Sequence, residues 1–312
     1  DVEEFEKNLA NYIGTKYAVG VNSGTDALYI ALKAIGIKQG DKVLVPSHTF
    51  VATAQVVAQL GAEVVLYDKG EPPHVGGFKA LIVAHIAGEF CQENFEGLIE
   101  HAEYYNVPVI EDACQALGAT QNGKKAGSFG IVGAFSFYPA KILGGPGDGG
   151  ALVTDDEEVY KFALEYRNHW KSDYSKWGIN SRLDNVLAAE LNLKLARINK
   201  TLRRRGYVAI TYTEGLLRTP LEIPKIIEGR TWQDYIIRTE KRDELYDFLK
   251  KNDIETMKNE YPMPVEKLPN AAKYEAETLR LPINEVITDD EVNYVIDKIK
   301  EFYEGTNTSS SI

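Results

Sequence analysis

The sequence predicts an α/β fold: a large, mostly parallel sheet with helices on both faces, followed by a smaller C-terminal α/β domain. Three observations point there. Short β-branched runs alternate with helical patterns through the first half of the chain, which is how parallel sheets covered on both faces are built. The pattern changes near Asp155 to longer helices and then a short strand–helix series. The 312 residues suffice for one large unit and a smaller one.

Taken in order, residues 17–21 read as a strand and 25–35 as a helix. Further strands are expected at 43–45, 63–67, 81–84 and 108–111, with helical segments near 51–60 and 92–105. Residues 135–137 and 151–153 continue the strand series. A helix is expected over 156–168. A long one follows from Asp184 to Arg205, because Leu187, Leu191, Leu195 and Ile198 recur at helical spacing. Beyond Pro220 come a strand at 232–238, a helix at 240–252, a loop holding Tyr261-Pro262-Met263-Pro264, and a helix at 289–303. Thr288 and Glu291 have the spacing of a capping box. The boundaries drawn are 1–205 for the large domain and 206–312 for the small one, with residues 305–312 frayed.

Composition narrows the function. Apolar residues make up 44% and charged residues 26%, ordinary for a globular protein, and no stretch is long and apolar enough for a bilayer. The net charge of −11 argues against general nucleic-acid binding, which needs a basic surface. The run Arg203-Arg204-Arg205 reads as a solvated helix face. Two cysteines, Cys91 and Cys114, give no disulfide framework and suit a cytoplasmic protein. The acidic, amphipathic start is unlike a signal or transit peptide.

Four islands carry candidate chemistry, and the strand-end rule for such sheets puts the segments after Val21, Val45, Ile110 and Phe137 on one rim. Residues 22–28, Asn-Ser-Gly-Thr-Asp-Ala-Leu, lie between a strand and a helix. There, small residues and free N–H groups can meet an anion, although plain capping by Ser23 or Thr25 is the favoured reading of this island taken alone. Asp112, just past an apolar strand, is a turn residue or the partner of a cationic ring. Lys141 follows the strand at Phe135-Ser136-Phe137 and precedes the glycine-rich 144–150. A lone loop lysine is ordinarily solvated; this one has neighbours that permit close approach of a cofactor. Residues 178–184 read as a loop and N-cap. Cys/His spacing for zinc and acidic loops for calcium are absent from the sequence, so no metal is expected. The glycine stretch lacks the Gly-Lys-Ser/Thr ending of a P-loop.

The islands as an ordered set resemble a known family. YIGTKYAVGVNSGTDAL, GDKVLVPSHTFVAT, VIEDACQALGA, GSFGIVGAFSFYPAK, GDGGALVT, RNHW, NSRLD, YPMP and DDEVNYVIDKIKEF follow the pattern of the DegT/DnrJ/EryC1/StrS sugar aminotransferases. These are fold-type I enzymes using pyridoxal 5′-phosphate (PLP), which alternates with pyridoxamine phosphate. The resemblance covers nearly all of residues 1–303. It implies that Lys141 is the Schiff-base lysine and proton carrier, and that Asp112 partners the pyridine nitrogen. Gln115 then contacts the ring hydroxyl, and Phe50 stacks on the ring. Ser23, Gly24, Thr25 and Ser136 bind the phosphate, joined by Asn180 from the neighbouring subunit of a homodimer with composite sites. The implied reaction moves an amino group from glutamate or glutamine to a nucleotide-linked 3- or 4-keto-deoxysugar. A dehydratase of the same family, which carries histidine in place of the lysine, and a non-catalytic regulatory homologue are the alternatives.

His48, His169 and Tyr261 are candidates for the substrate side. His85 reads as a satisfied core-edge residue, and His74 and His101 as surface ones. The sequence departs from the family pattern at Ala140, where glycine is common, and in short stretches at 68–80 and 263–268. With no initiator methionine, it is expected to lack its native start and some loop residues.

Overall fold

The computed structural model describes residues 1–70, 73–91 and 95–308, with side chains as far as Gly305. Helix α1 (Val2–Ile13) is followed by β1 (Tyr17–Val21), α2 (Gly24–Ala34), β2 (Lys42–Pro46), α3 (Val51–Gln59), β3 (Glu63–Tyr67) and β4 (Ala80–Ala84). Next come α4 (Phe95–Tyr104), β5 (Val109–Asp112), the short strands β6 (Thr120–Gln121) and β7 (Lys124–Lys125), β8 (Val132–Ser136) and β9 (Gly150–Thr154). Helices α5 (Glu157–Tyr166), α6 (Asn185–Leu195) and α7 (Ile198–Leu216) lead to the C-terminal part. There β10 (Tyr235–Arg238), α8 (Arg242–Lys251), β11 (Met257–Lys258), α9 (Pro269–Glu277), β12 (Thr278–Leu281) and α10 (Asp289–Thr308) complete the chain.

The main sheet has the order β1-β9-β8-β5-β4-β2-β3. Every pairing in it is parallel except those of β9, which runs against both its neighbours. Consecutive strand side chains point to opposite faces, so strands covered on both sides read as unbroken apolar runs. Strand β9 shows this directly: Leu152 joins the core beneath α2, α3 and α5, while Ala151 and Val153 join the core beneath α1 and α6. A separate core gathers Val208, Tyr212, Tyr235, Leu249, Leu279 and Ile299 around the small antiparallel sheet β10-β12-β11. No helix among the described residues is long and apolar enough to cross a membrane.

Most expected elements form within a residue or two. The expected helix start at 92–94 lies outside the described residues, as do 309–312. The long helix expected from Asp184 to Arg205 is instead two helices, breaking at Ala196–Arg197 and then continuing to Leu216. Leu187, Leu191, Leu195 and Ile198 all enter one core across that break, so the apolar spacing survives a kink that it cannot reveal. Helix α9 was not anticipated. Helix α10 begins with the expected capping box, Thr288 N–H donating to Glu291 at 2.7 Å and Glu291 N–H to Thr288 Oγ1 at 3.2 Å, and runs through 305–308, where fraying was expected.

The basic run is likewise corrected. Successive helix residues lie about 100° apart, so the three arginines meet three environments. Arg203 is exposed, Arg204 pairs with Asp289 at the start of α10, and Arg205 is buried.

Candidate active site

The parallel strands bring the segments after β1, β2, β5 and β8 to one edge of the sheet. They wall a cavity of about 910 Å³, closed on its other side by the C-terminal part. Ser23, Gly24, Thr25, Phe50, Asp112, Gln115, Ser136, Lys141 and Tyr261 all line it.

Helix α2 aims its N-terminus there. Ser23 is its N-cap: Oγ accepts from Asp26 N–H at 3.1 Å, and its carbonyl accepts from Ala27 N–H at 3.0 Å. The N–H groups of Gly24 and Thr25, in the turn a helix leaves unpaired, have no partner among the described residues. The chain packs so closely at this corner that two glycines have no room for a side chain. A Cβ on Gly24 would stand 2.7 Å from Cys114 Sγ, and one on Gly150 would stand 2.3 Å from the Ser23 carbonyl carbon. Ser181, from the loop before α6, fixes the approach by accepting Asn22 N–H at 3.1 Å and donating to Asp26 at 2.6 Å.

Asp112 closes β5 with a carboxylate held at both oxygens. Thr53 Oγ1 donates to one at 2.7 Å, and Cys114 N–H donates to the other at 3.2 Å. Gln115 accepts Ala87 N–H at 3.0 Å and donates through Nε2 to the Tyr261 hydroxyl at 3.1 Å. Burial pushes the Tyr261 phenol up to about 12, so it stays a neutral hydroxyl at ordinary pH. The half-buried thiol of Cys114 is likewise pushed well up by burial and is no ready nucleophile.

Lys141 sits in the turn after β8, its N–H bonded to the Tyr138 carbonyl at 2.8 Å. Gln233 brackets it: Oε1 accepts Ile142 N–H at 3.1 Å and Nε2 donates to the Ala140 carbonyl at 2.9 Å. Sequence reading missed Gln233, because nothing local marks a glutamine that serves a backbone some 90 residues away.

Three expected site residues stand elsewhere. His48 does not line this cavity. Its ring is buried beside Tyr261 and Tyr274, with Nδ1 at 2.9 Å from Glu275, which also accepts Tyr261 N–H at 3.1 Å and pairs with Lys267. His169 and Asn180 are exposed and do not reach the cavity of their own chain. His85 does line it, with both nitrogens engaged, Nε2 at 3.0 Å from Glu111 and Nδ1 accepting Cys91 N–H at 3.3 Å. His74 and His101 are exposed.

Burial pushes the His48 imidazole below its ordinary range, and the hydrogen bond to Glu275, which acts the other way, does not restore it. Glu275 is raised by its own burial, yet donors from His48, Lys267 and Tyr261 leave it lowered overall. A neutral imidazole donating to a carboxylate satisfies both shifts. Because the folded pKa of His48 lies below the unfolded one, the unfolded chain binds more protons between the two. The contribution is therefore full above an unfolded pKa of about 6.5 and is lost as the pH falls through the folded value. Urea midpoints at pH 7 and pH 5.5 should fall further apart in the native protein than in His48→Gln; parallel midpoints would refute this.

The model of the DegT/DnrJ/EryC1/StrS aminotransferase family matches residues 1–300. A protein of Geobacillus stearothermophilus named pleiotropic regulatory protein is 35% identical over 97% of this chain and 89% of its own length. The dTDP-3-amino-3,4,6-trideoxy-alpha-D-glucose transaminase of Streptomyces venezuelae is 35% identical over 97% of this chain and 87% of its own. Among solved structures, S. venezuelae DesV in complex with a ketimine intermediate superposes with a TM-score of 0.89, at 35% identity over 97% of this chain and 89% of that one.

Proposed function

The chain belongs to the DegT/DnrJ/EryC1/StrS aminotransferase family, and from that membership we propose that it is a PLP-dependent transaminase acting on a nucleotide-linked 3- or 4-keto-deoxysugar, with glutamate or glutamine as donor. One observation carries the reading: the amine of Lys141, the held carboxylate of Asp112 and a helix N-terminus whose first N–H groups have no partner among the described residues line one cavity.

The residues present fit the cofactor. The Gly24 and Thr25 N–H groups and the Ser23 and Ser136 hydroxyls would receive its phosphate, which a helix N-terminus favours electrostatically. Asp112 would pair with the ring nitrogen, Gln115 with the ring hydroxyl, and Phe50 would stack on the ring. When bound, PLP supplies an electron sink for the electrons left at the donor's α-carbon. Lys141 is the covalent anchor and, once released, the proton carrier; its bracketed backbone limits where the amine can travel. Thr53 and Cys114 N–H keep the Asp112 charge in one place, so it needs no reorganisation as the reaction proceeds.

Phe50 is 54% exposed at the cavity wall, and Asn180 is exposed away from it. Both suit a homodimer in which Asn180 of one subunit reaches the phosphate held by the other. The free thiols of Cys91 and Cys114 suit the cytoplasm.

Adding PLP to the purified protein should produce a visible absorbance band that glutamate then bleaches. A panel of nucleotide-linked 3- and 4-keto sugars, read by mass, should yield an amino sugar. Donor and acceptor use one cavity in turn, so initial rates should follow ping-pong kinetics. A protein that gains no chromophore at saturating PLP would overturn the reading.

A further inference from the structure

Three lysine and arginine side chains line the cavity: Lys141, Arg205 and Arg280. Two are committed. Lys141 is the cofactor's anchor in the reading above. Arg205 is a staple, its buried guanidinium donating through one nitrogen to the carbonyls of Trp232, Gln233 and Ile283 at 2.9, 3.3 and 3.2 Å.

Arg280 is differently placed. On β12 its neighbours Leu279 and Leu281 turn into the C-terminal core, so strand alternation sends Arg280 to the opposite face, toward the cavity. Its guanidinium is held along one edge. Nε donates to Asn259 Oδ1 at 2.8 Å, and the group stands 4.8 Å from the centre of the Tyr261 ring, whose hydroxyl meets Gln115. One terminal nitrogen donates to Met257 Sδ at 3.7 Å and forms a long ion pair with Asp234 at 3.6 Å. The other makes no hydrogen bond among the described residues. The remaining charged side chains on that wall are acids: Asp234, Glu255 and Glu260, the last paired with Arg242 at 2.7 Å. A substrate anion therefore has one favourable seat on this side.

We propose that Arg280 seats the anionic group of a substrate, a carboxylate of the amino donor or a phosphate of the sugar nucleotide, and so sets which molecule the site accepts. A guanidinium fixed at one edge offers its free N–H groups in a plane, the geometry that recognises carboxylate and phosphate oxygens. Asn259 and Tyr261 hold that plane in advance, so little side-chain freedom is lost on binding. The inference rests on the functional reading above.

Its test uses two unreactive probes, glutarate for the carboxylate and thymidine diphosphate for the phosphate. Each is titrated calorimetrically into the PLP-loaded and the PLP-free protein. In Arg280→Met, binding of one probe should weaken by about ten- to a hundredfold, Arg280→Lys should keep part of it, and the PLP absorbance band should stay as in the native protein. Loss confined to glutarate identifies the donor carboxylate; loss confined to thymidine diphosphate identifies the nucleotide phosphate. Native protein that binds neither probe, or binding unchanged in Arg280→Met, overturns the proposal. Should Arg280→Met fail to fold by circular dichroism, Arg280→Gln and Arg280→Lys read the same titrations. A native protein without the PLP band would sink the cofactor reading instead, while the PLP-free titration still decides on Arg280.

Discussion

Lys141→Ala is expected to fold normally, to bind PLP without the visible band of a lysine-bound cofactor, and to lose measurable amino transfer. Loss of a positioned acid–base group alone costs about 10²–10⁴-fold, and loss of the covalent anchor adds to that. Folding should be spared because the side chain is only half-buried and its Nζ makes no hydrogen bond among the described residues. The turn itself is held by backbone: Lys141 N–H on the Tyr138 carbonyl, and Gln233 on the residues either side. Added methylamine should restore part of the rate, since it supplies the missing base without the tether. A variant that transfers amino groups within about tenfold of the native rate would remove Lys141 from the chemistry.

The second large effect is on stability. Glu111 is fully buried beside Asp112 and accepts four hydrogen bonds. Oε1 receives Phe129 N–H at 2.6 Å and Gly130 N–H at 2.7 Å, while Oε2 receives Gly127 N–H at 2.8 Å and meets His85 Nε2 at 3.0 Å. One carboxylate thus ties the turn leading into β8 to the strand that presents Asp112. Glu111→Ala leaves all four donors without a partner, and it should destabilise by roughly 3–5 kcal/mol, the scale seen when one member of a buried charged network is removed. That is a large part of the 5–15 kcal/mol by which domains are stable. Glu111→Gln keeps the shape and one acceptor oxygen but turns an NH₂ toward N–H donors, so it should also destabilise, by less. Urea unfolding measures both; a loss below about 1 kcal/mol in Glu111→Ala would show that these groups find other partners.

Glu111 also marks a limit of sequence reading. Asp112 was legible because it ends an apolar strand at the rim where such sheets bind ligands. Its neighbour Glu111 read only as the last residue of the expected strand. Only the fold shows that one carboxylate faces the cavity while the other faces a loop some 16–19 residues downstream. The histidines divide in the same way. His85 behaved as a satisfied core-edge residue, whereas His48, one residue from a cavity-lining threonine, turned away to a glutamate 227 positions along. The rotation of a side chain about its own strand end depends on which partner is packed there.

The sequence alone determined the alternating fold and the rim on which Lys141, Asp112 and the start of α2 meet. Each of those follows from local chemistry: strand periodicity, small residues at a helix start, and a lysine between a strand and glycines. Tertiary structure alone decided which distant groups serve them. Gln233 brackets Lys141, Thr53 holds Asp112, Arg205 is drawn into the interior, and Arg280 keeps one terminal nitrogen without a hydrogen bond among the described residues. The reason is physical. A residue's backbone preference is written within a few positions of it, whereas its burial and hydrogen-bond partners are set by whichever segment the folded chain lays against it.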